Sequence, residues 1–197
     1  MSYNKSKNHR RSIRLPDYDY SSEGLYYVTI CTQDRLCLFG EVIGGQMTLN
    51  ACGEIVKQEL LRTPEIRREI TLDEWVIMPN HIHAIVAINE TEHDTATGHA
   101  VGATGHVGAH GHAPLRERRF VRKPKSLSSF IAGFKSAVTV HINQLRQTPG
   151  NPVWQRNYWE HIIRNGESYD KIKRYVIENP MNWTHDEENP HKTKTKN

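Results

Sequence analysis

Apolar side chains recur at every second position in some stretches of the chain and every three or four in others, and the two kinds of stretch alternate. Residues 24–32 (GLYYVTICT) are rich in β-branched and aromatic side chains and read as a strand. From 47 to 62 the apolar positions Leu49, Cys52, Ile55, Val56 and Leu60 lie mostly three or four apart, which predicts an amphipathic helix ending near Thr63-Pro64. Residues 70–78 alternate, Pro79-Asn80 is a turn pair, and 81–89 (HIHAIVAIN) form a third strand, so 70–89 reads as a hairpin. Ser126 is expected to cap a helix to about residue 147, with Leu127, Phe130, Ile131, Phe134, Val138, Ile142 and Leu145 on its apolar face. Short strands at 153–156 and 159–164 flank an Asn157-Tyr158 turn, and a last helix over 167–179 is stopped by Pro180. The order β-α-β-β-α-β plus one further helix is the split βαβ plan of a ferredoxin-like α+β domain. Its antiparallel sheet carries helices on one face and leaves the other for a ligand.

Three segments lack periodicity. Residues 1–15 (MSYNKSKNHRRSIRL) form a basic arm, and 184–197 a polar tail expected to be disordered. Between them, the domain at 16–183 is interrupted at 91–125 by a long loop. There TGHAVGA at 97–103 is nearly repeated as TGHVGA at 104–109, and a run with six basic residues out of ten follows at 116–125. His93, His99, His106, His110 and His112 fall in this insert, which reads as low-complexity sequence. The net charge of +4 suits a polyanionic partner. The candidate phosphate contacts are Arg10, Arg11 and Arg14 in the arm, and Arg116, Arg118, Arg119, Arg122, Lys123 and Lys125 before the long helix. Cys31, Cys37 and Cys52 make no CxxC pair and no disulfide framework. No apolar run approaches a membrane span, and the opening residues lack the apolar centre of a signal peptide, so a cytoplasmic protein is expected.

Two features carry chemistry. In a strand, His81 and His83 project from one face while Ile82 points to the other, so the two imidazoles can share one divalent ion with a third group from elsewhere. In the last helix Tyr175 and Asn179 are four residues apart and share a face. Asn179 offers a carbonyl oxygen suited to magnesium or manganese, and Tyr175 a phenol able to attack phosphorus. Taken singly, each has a plainer explanation: polar residues on a solvated face, a packing tyrosine, a helix-terminal asparagine.

Together they resemble a family. Met78-Pro79-Asn80-His81-Ile82-His83, then Val153-Trp154-Gln155-Arg156, His161-Ile162-Ile163-Arg164 and Arg174-Tyr175-Val176-Ile177-Glu178-Asn179-Pro180, resemble the HUH single-tyrosine transposases, and more narrowly the REP-associated tyrosine transposases. The resemblance implies a ferredoxin-like fold, a divalent metal (Mg2+ or Mn2+) held by His81, His83 and Asn179, and Tyr175 as the nucleophile forming a 5′-phosphotyrosine with single-stranded, hairpin-bearing DNA. It leaves open whether the protein is a monomer or a homodimer. Insertion-sequence members tend to place glutamine where Asn179 stands, and asparagine there fits the REP-associated branch.

Rival groups are weaker. Tyr169 lies on another helix face from Tyr175, Tyr158 lacks a partner like Asn179, His161 reads as a core histidine, and Glu178 is only three residues from Tyr175. Two alternatives to a transposase stand beside it. One is a domesticated palindrome-binding protein that does not cut. The other is a hydrolytic metal nuclease, disfavoured because no acidic cluster is expected near His81 and His83.

Overall fold

A computed structural model describes residues 18–89 and 124–192. The basic arm at 1–15, nearly all of the 91–125 insert and residues 193–197 lie outside them. In chain order the elements are β1 (Gly24–Cys31), β2 (Gly40–Ile43), β3 (Gln46–Leu49), α1 (Ala51–Ile66), β4 (Ile70–Ile77), β5 (His81–Ile88), α2 (Leu127–Arg146), β6 (Trp159–Ile163) and α3 (Gly166–Glu178). Single 3-10 turns occupy Gln33–Arg35 and Trp183–His185. Four strands form one sheet in the order β4-β5-β1-β6, every pair antiparallel, which is the ferredoxin-like arrangement with α3 added after it. No helix among the described residues is long and apolar enough to cross a membrane.

Alternation along the two central strands builds two different faces. Tyr26, Val28 and Ile30 of β1 and Ile82, Ala84 and Val86 of β5 join Val56 and Leu60 of α1 and Phe130, Ile131, Phe134, Val138 and Ile142 of α2 in the main core. The opposite face carries Tyr27, Ile85 and Ile163, covered by Val176 and Ile172 of α3. This second cluster is small and leaves polar positions of β1 and β5 under the edge of α3. Each helix begins on a side-chain cap: Asn50 accepts from the Cys52 and Gly53 amides, Ser126 forms a capping box with Ser129, and Asn165 accepts from the Ser168 amide.

The structure corrects several local expectations. Met47 and Leu49 belong to β3, whose hairpin with β2 turns through Gly44 (φ 57°) and Gly45 (φ 78°), so the helix starts only after Asn50. It also runs past Pro64 to Ile66, since a proline in the last turn forfeits one backbone bond while Arg67 N–H still reaches the Thr63 carbonyl. Leu145 lies beyond the core and is exposed. The expected strand at 153–156 reduces to one bridge, Trp154 to Thr32, that prolongs β1. The segment after Trp183, expected to be a disordered tail, turns back through residue 192 and buries Asp186 and Asn189.

Gly53 in the first turn of α1 is a steric requirement. A Cβ there would sit 2.2 Å from the Phe39 carbonyl oxygen and 2.9 Å from Leu49 Cδ2. Gly53→Ala should therefore destabilise the protein by about 1–3 kcal/mol in denaturant titrations, although alanine is the better helix former.

Candidate active site

The β1–β5 register sets His81 opposite Cys31 and His83 opposite Thr29, with both imidazoles on the α3 face. Contrary to a solvated face, both are buried, at 0% and 2% exposure. Their Nε2 atoms approach to 2.9 Å, and each outer nitrogen is already engaged. His81 Nδ1 lies 2.8 Å from Asn80 Oδ1. The Asn80 amide nitrogen donates to the Arg35 and Glu188 carbonyls at 3.1 and 2.7 Å, which turns its oxygen toward His81. An amide oxygen only accepts, so His81 carries its proton on Nδ1 and presents a bare Nε2 lone pair. His83 Nδ1 lies 2.7 Å from the Tyr27 hydroxyl and 2.9 Å from Thr29 Oγ1. The Nε2–Nε2 contact is a hydrogen bond when His83 carries its proton on Nε2. As ligands, His81 and His83 would each offer Nε2 to a divalent cation, and His83 would then carry its proton on Nδ1, where the Tyr27 and Thr29 oxygens can accept it.

Electrostatics favour the ligand state of this pair. Burial pushes His81 down to about 4, against the opposing pull of Asp186, and burial together with its neighbour His81 holds His83 well below the ordinary value. Both rings are therefore neutral at pH 7, as metal ligands must be.

α3 delivers the other expected residues. Asn179, at its C-terminal cap, is 1% exposed, and its amide nitrogen donates to Asp186 Oδ2 at 2.9 Å. Its carbonyl oxygen is buried without a hydrogen-bond partner among the described residues, which is the condition expected of an acceptor reserved for a cation. One turn earlier, Tyr175 is about half exposed, with its ring 5.2 Å from that of His83 and 6.3 Å from that of Tyr27. Burial and the charge of Asp186 raise its phenol above the ordinary value, while the Asn179 amide pulls the other way.

Asp186 is the residue the sequence reading missed. Its Oδ2 is 3.9 Å from His81 Nε2, and His81, His83 and Asp186 each bring one donor atom within 4.8 Å of the others. The Glu188 amide fixes its second oxygen at 2.6 Å, and Glu188 in turn pairs with Arg35 at 3.0 Å. An acidic cluster does stand beside the histidines, contrary to expectation. The signal was present as Asp186-Glu187-Glu188, close behind the tyrosine helix. Two neutral imidazoles, a carboxylate and an amide carbonyl form a mixed nitrogen and oxygen donor set that suits a divalent cation.

A cavity of about 730 Å³ opens from this group, running from His83 and Tyr175 over Tyr27 and Thr29 to Tyr158 and Trp159. Arg35 is the one arginine or lysine on its wall among the described residues. Tyr169 is held elsewhere, donating to Asp73 at 2.6 Å, and Glu178 does not line the cavity. His161 is not a core histidine; it is exposed and stacks on Trp159. Of the basic candidates only Lys125 is described. It is exposed just before the Ser126 cap and takes no part in the cavity wall, while Arg10, Arg11, Arg14, Arg116, Arg118, Arg119, Arg122 and Lys123 lie outside the described residues.

No family model matches the chain. An uncharacterized protein of Haemophilus influenzae is 39% identical over 189 residues, spanning 94% of this chain and 96% of that one. Among solved structures, a REP-associated tyrosine transposase bound to a REP hairpin shares the fold with a TM-score of 0.53 at 17% identity, over 86% of this chain and 74% of that one. The chain thus belongs to one family with the Haemophilus influenzae protein, and the tyrosine transposase resemblance seen in its motifs extends to its fold.

Proposed function

We propose that the protein is a metal-dependent, single-tyrosine nicking and strand-transfer enzyme acting on single-stranded DNA beside a hairpin. The observation that carries this reading is the position of Tyr175, whose half-exposed ring lies 5.2 Å from that of His83 at the mouth of a buried two-histidine group. His81 and His83, with Asn179 and Asp186, would hold the divalent ion, magnesium or manganese. When bound, it would polarise the scissile phosphate and offset the developing charge.

The protein's own groups do the rest. Tyr27 and Thr29 orient His83, Asn80 orients His81, and Asn179 holds Asp186. The Tyr175 oxygen attacks phosphorus and its proton passes to solvent in the cavity. The bond from phosphorus to the 3′-oxygen breaks, and that oxygen takes up a proton. The products are a 5′-phosphotyrosine and a free 3′-hydroxyl. Attack by another 3′-hydroxyl reverses the step and joins new ends. The basic arm and the 116–125 run would contribute salt-sensitive phosphate contacts.

The test is incubation of the purified protein with a labelled single-stranded hairpin oligonucleotide, with and without Mg2+ or Mn2+, on a denaturing gel. A slow, protease-sensitive band that requires the cation supports the reading. The carboxylate of Asp186 beside His81 favours one rival, a hydrolytic nuclease in which water replaces the tyrosine; it predicts cleavage with no adduct. Retarded native complexes with neither cleavage nor adduct would indicate a palindrome-binding protein that does not cut.

Asn80 supplies a separate check. Because it fixes the proton position of His81, Asn80→Ala should weaken Mn2+ binding about 10–100-fold by calorimetric titration, with circular dichroism confirming the fold.

A further inference from the structure

The far wall of the cavity is aromatic. β6 is the edge strand, and its pairing with β1 sets Trp159 beside Thr29 and His161 beside Tyr27, on the histidine face. Toward the end of β6, Ile163 is covered together with Val176 of α3. Trp159, at its beginning, stays 43% exposed and lines the cavity, and His161 beside it is exposed as well.

The indole is nonetheless held in a set orientation. Its plane lies within 6° of the His161 ring, and it meets the Tyr27 ring at 71° with centroids 5.4 Å apart. The Tyr27 ring continues to Tyr175 at 6.3 Å. A fixed, open aromatic face on the cavity wall suits a planar ligand. Its distance from the chemistry suits a neighbour of the reacting group. His83, Thr29 and Trp159 form one row across three adjacent strands, so Trp159 stands roughly 10 Å from His83.

We propose that Trp159, backed by His161, is a stacking shelf for an unpaired nucleobase flanking the scissile phosphate. This inference rests on the proposed function and adds a base-binding subsite to it. Stacking accepts any base, so the shelf positions the strand and leaves sequence discrimination to other contacts.

The test uses the full chain and an oligothymidylate of single-stranded length, which has no hairpin and isolates the subsite. Titration should quench tryptophan emission in the unaltered protein, and Trp159→Phe should lose that quenching while still binding. Trp159→Ala should weaken binding by about ten- to a hundredfold. In the cleavage assay Trp159→Ala should raise KM more than it lowers kcat, and Trp159→Phe should restore most of the KM. A purely structural role for Trp159 would instead lower the melting temperature of the alanine variant without this rescue. Unchanged affinity in Trp159→Ala, quenching that persists in Trp159→Phe, or no quenching in the unaltered protein would each overturn the shelf. If those failures accompany an intact metal-dependent adduct, the shelf falls and the enzyme reading stands. If oligothymidylate binding depends on Trp159 but no adduct forms, the shelf stands and the enzyme reading falls.

Discussion

Tyr175→Phe should abolish the covalent protein–DNA adduct, with a loss of more than about a thousandfold in cleavage, while leaving hairpin binding intact. The substitution removes one oxygen from a ring that is 46% exposed and keeps the edge contacts with His83 and Tyr27, so the fold should be unaffected. Stability should change by less than about 0.5 kcal/mol, as for other surface substitutions. The check is the denaturing gel described above, paired with a native gel at matched salt. Tyr169→Phe is the internal control, because that hydroxyl is already committed to Asp73 and lies near Lys173 at 3.0 Å. An adduct that survives in Tyr175→Phe and disappears in Tyr169→Phe would reassign the nucleophile. An adduct that survives in both would remove it from α3 altogether.

The chemistry that could be read from the sequence was the part encoded by local period. The strand alternation of HIHAIVAI puts His81 and His83 on one face whatever the partners are, and the i, i+4 spacing does the same for Tyr175 and Asn179 on a helix. The two pairs meet because β5 is central, as the β-α-β-β-α-β order implies, and because α3 packs over the sheet face opposite α1 and α2, which that order does not imply. Asp186 could not be read this way. It sits in a polar, aperiodic segment, and long-range bonds place it: the Asn80 amide to the Glu188 carbonyl and Arg35 to the Glu188 carboxylate. Sequence period also misjudged Met47 and Leu49. Apolar residues two apart continue into the spacing of α1, and the boundary is drawn by the β2–β3 hairpin through Gly44-Gly45 and by the Asn50 cap. Trp159 and His161 were legible as strand residues, but their exposure depends on where α3 stops covering an edge strand.

Acid should destabilise the protein through the histidine pair, and a divalent cation should stabilise it through the same pair near neutral pH. Burial holds His81 down at about 4 and His83 well below its ordinary 6.5. A histidine with a lower pKa in the folded chain is protonated first in the unfolded chain. Its contribution is therefore complete above pH 6.5 and declines as the pH falls toward 4. For His81 alone the loss approaches about 3 kcal/mol, and His83 adds to it in the same direction. After chelator treatment, denaturant titrations across this range should show the decline. Adding Mn2+ at about a hundred times its dissociation constant should add about 2.7 kcal/mol at neutral pH. The increment should persist to about pH 6, because the same burial that depresses the two pKa values keeps protons from competing for the ligand nitrogens. His83→Ala should abolish the Mn2+ increment and remove His83's share of the acid decline, leaving the share of His81. Equal stabilisation by Mn2+ in the unaltered protein and in His83→Ala would place the cation elsewhere and remove the metal from the proposed chemistry. A smaller acid decline with an unchanged Mn2+ increment would confirm the buried His83 while denying it a ligand role.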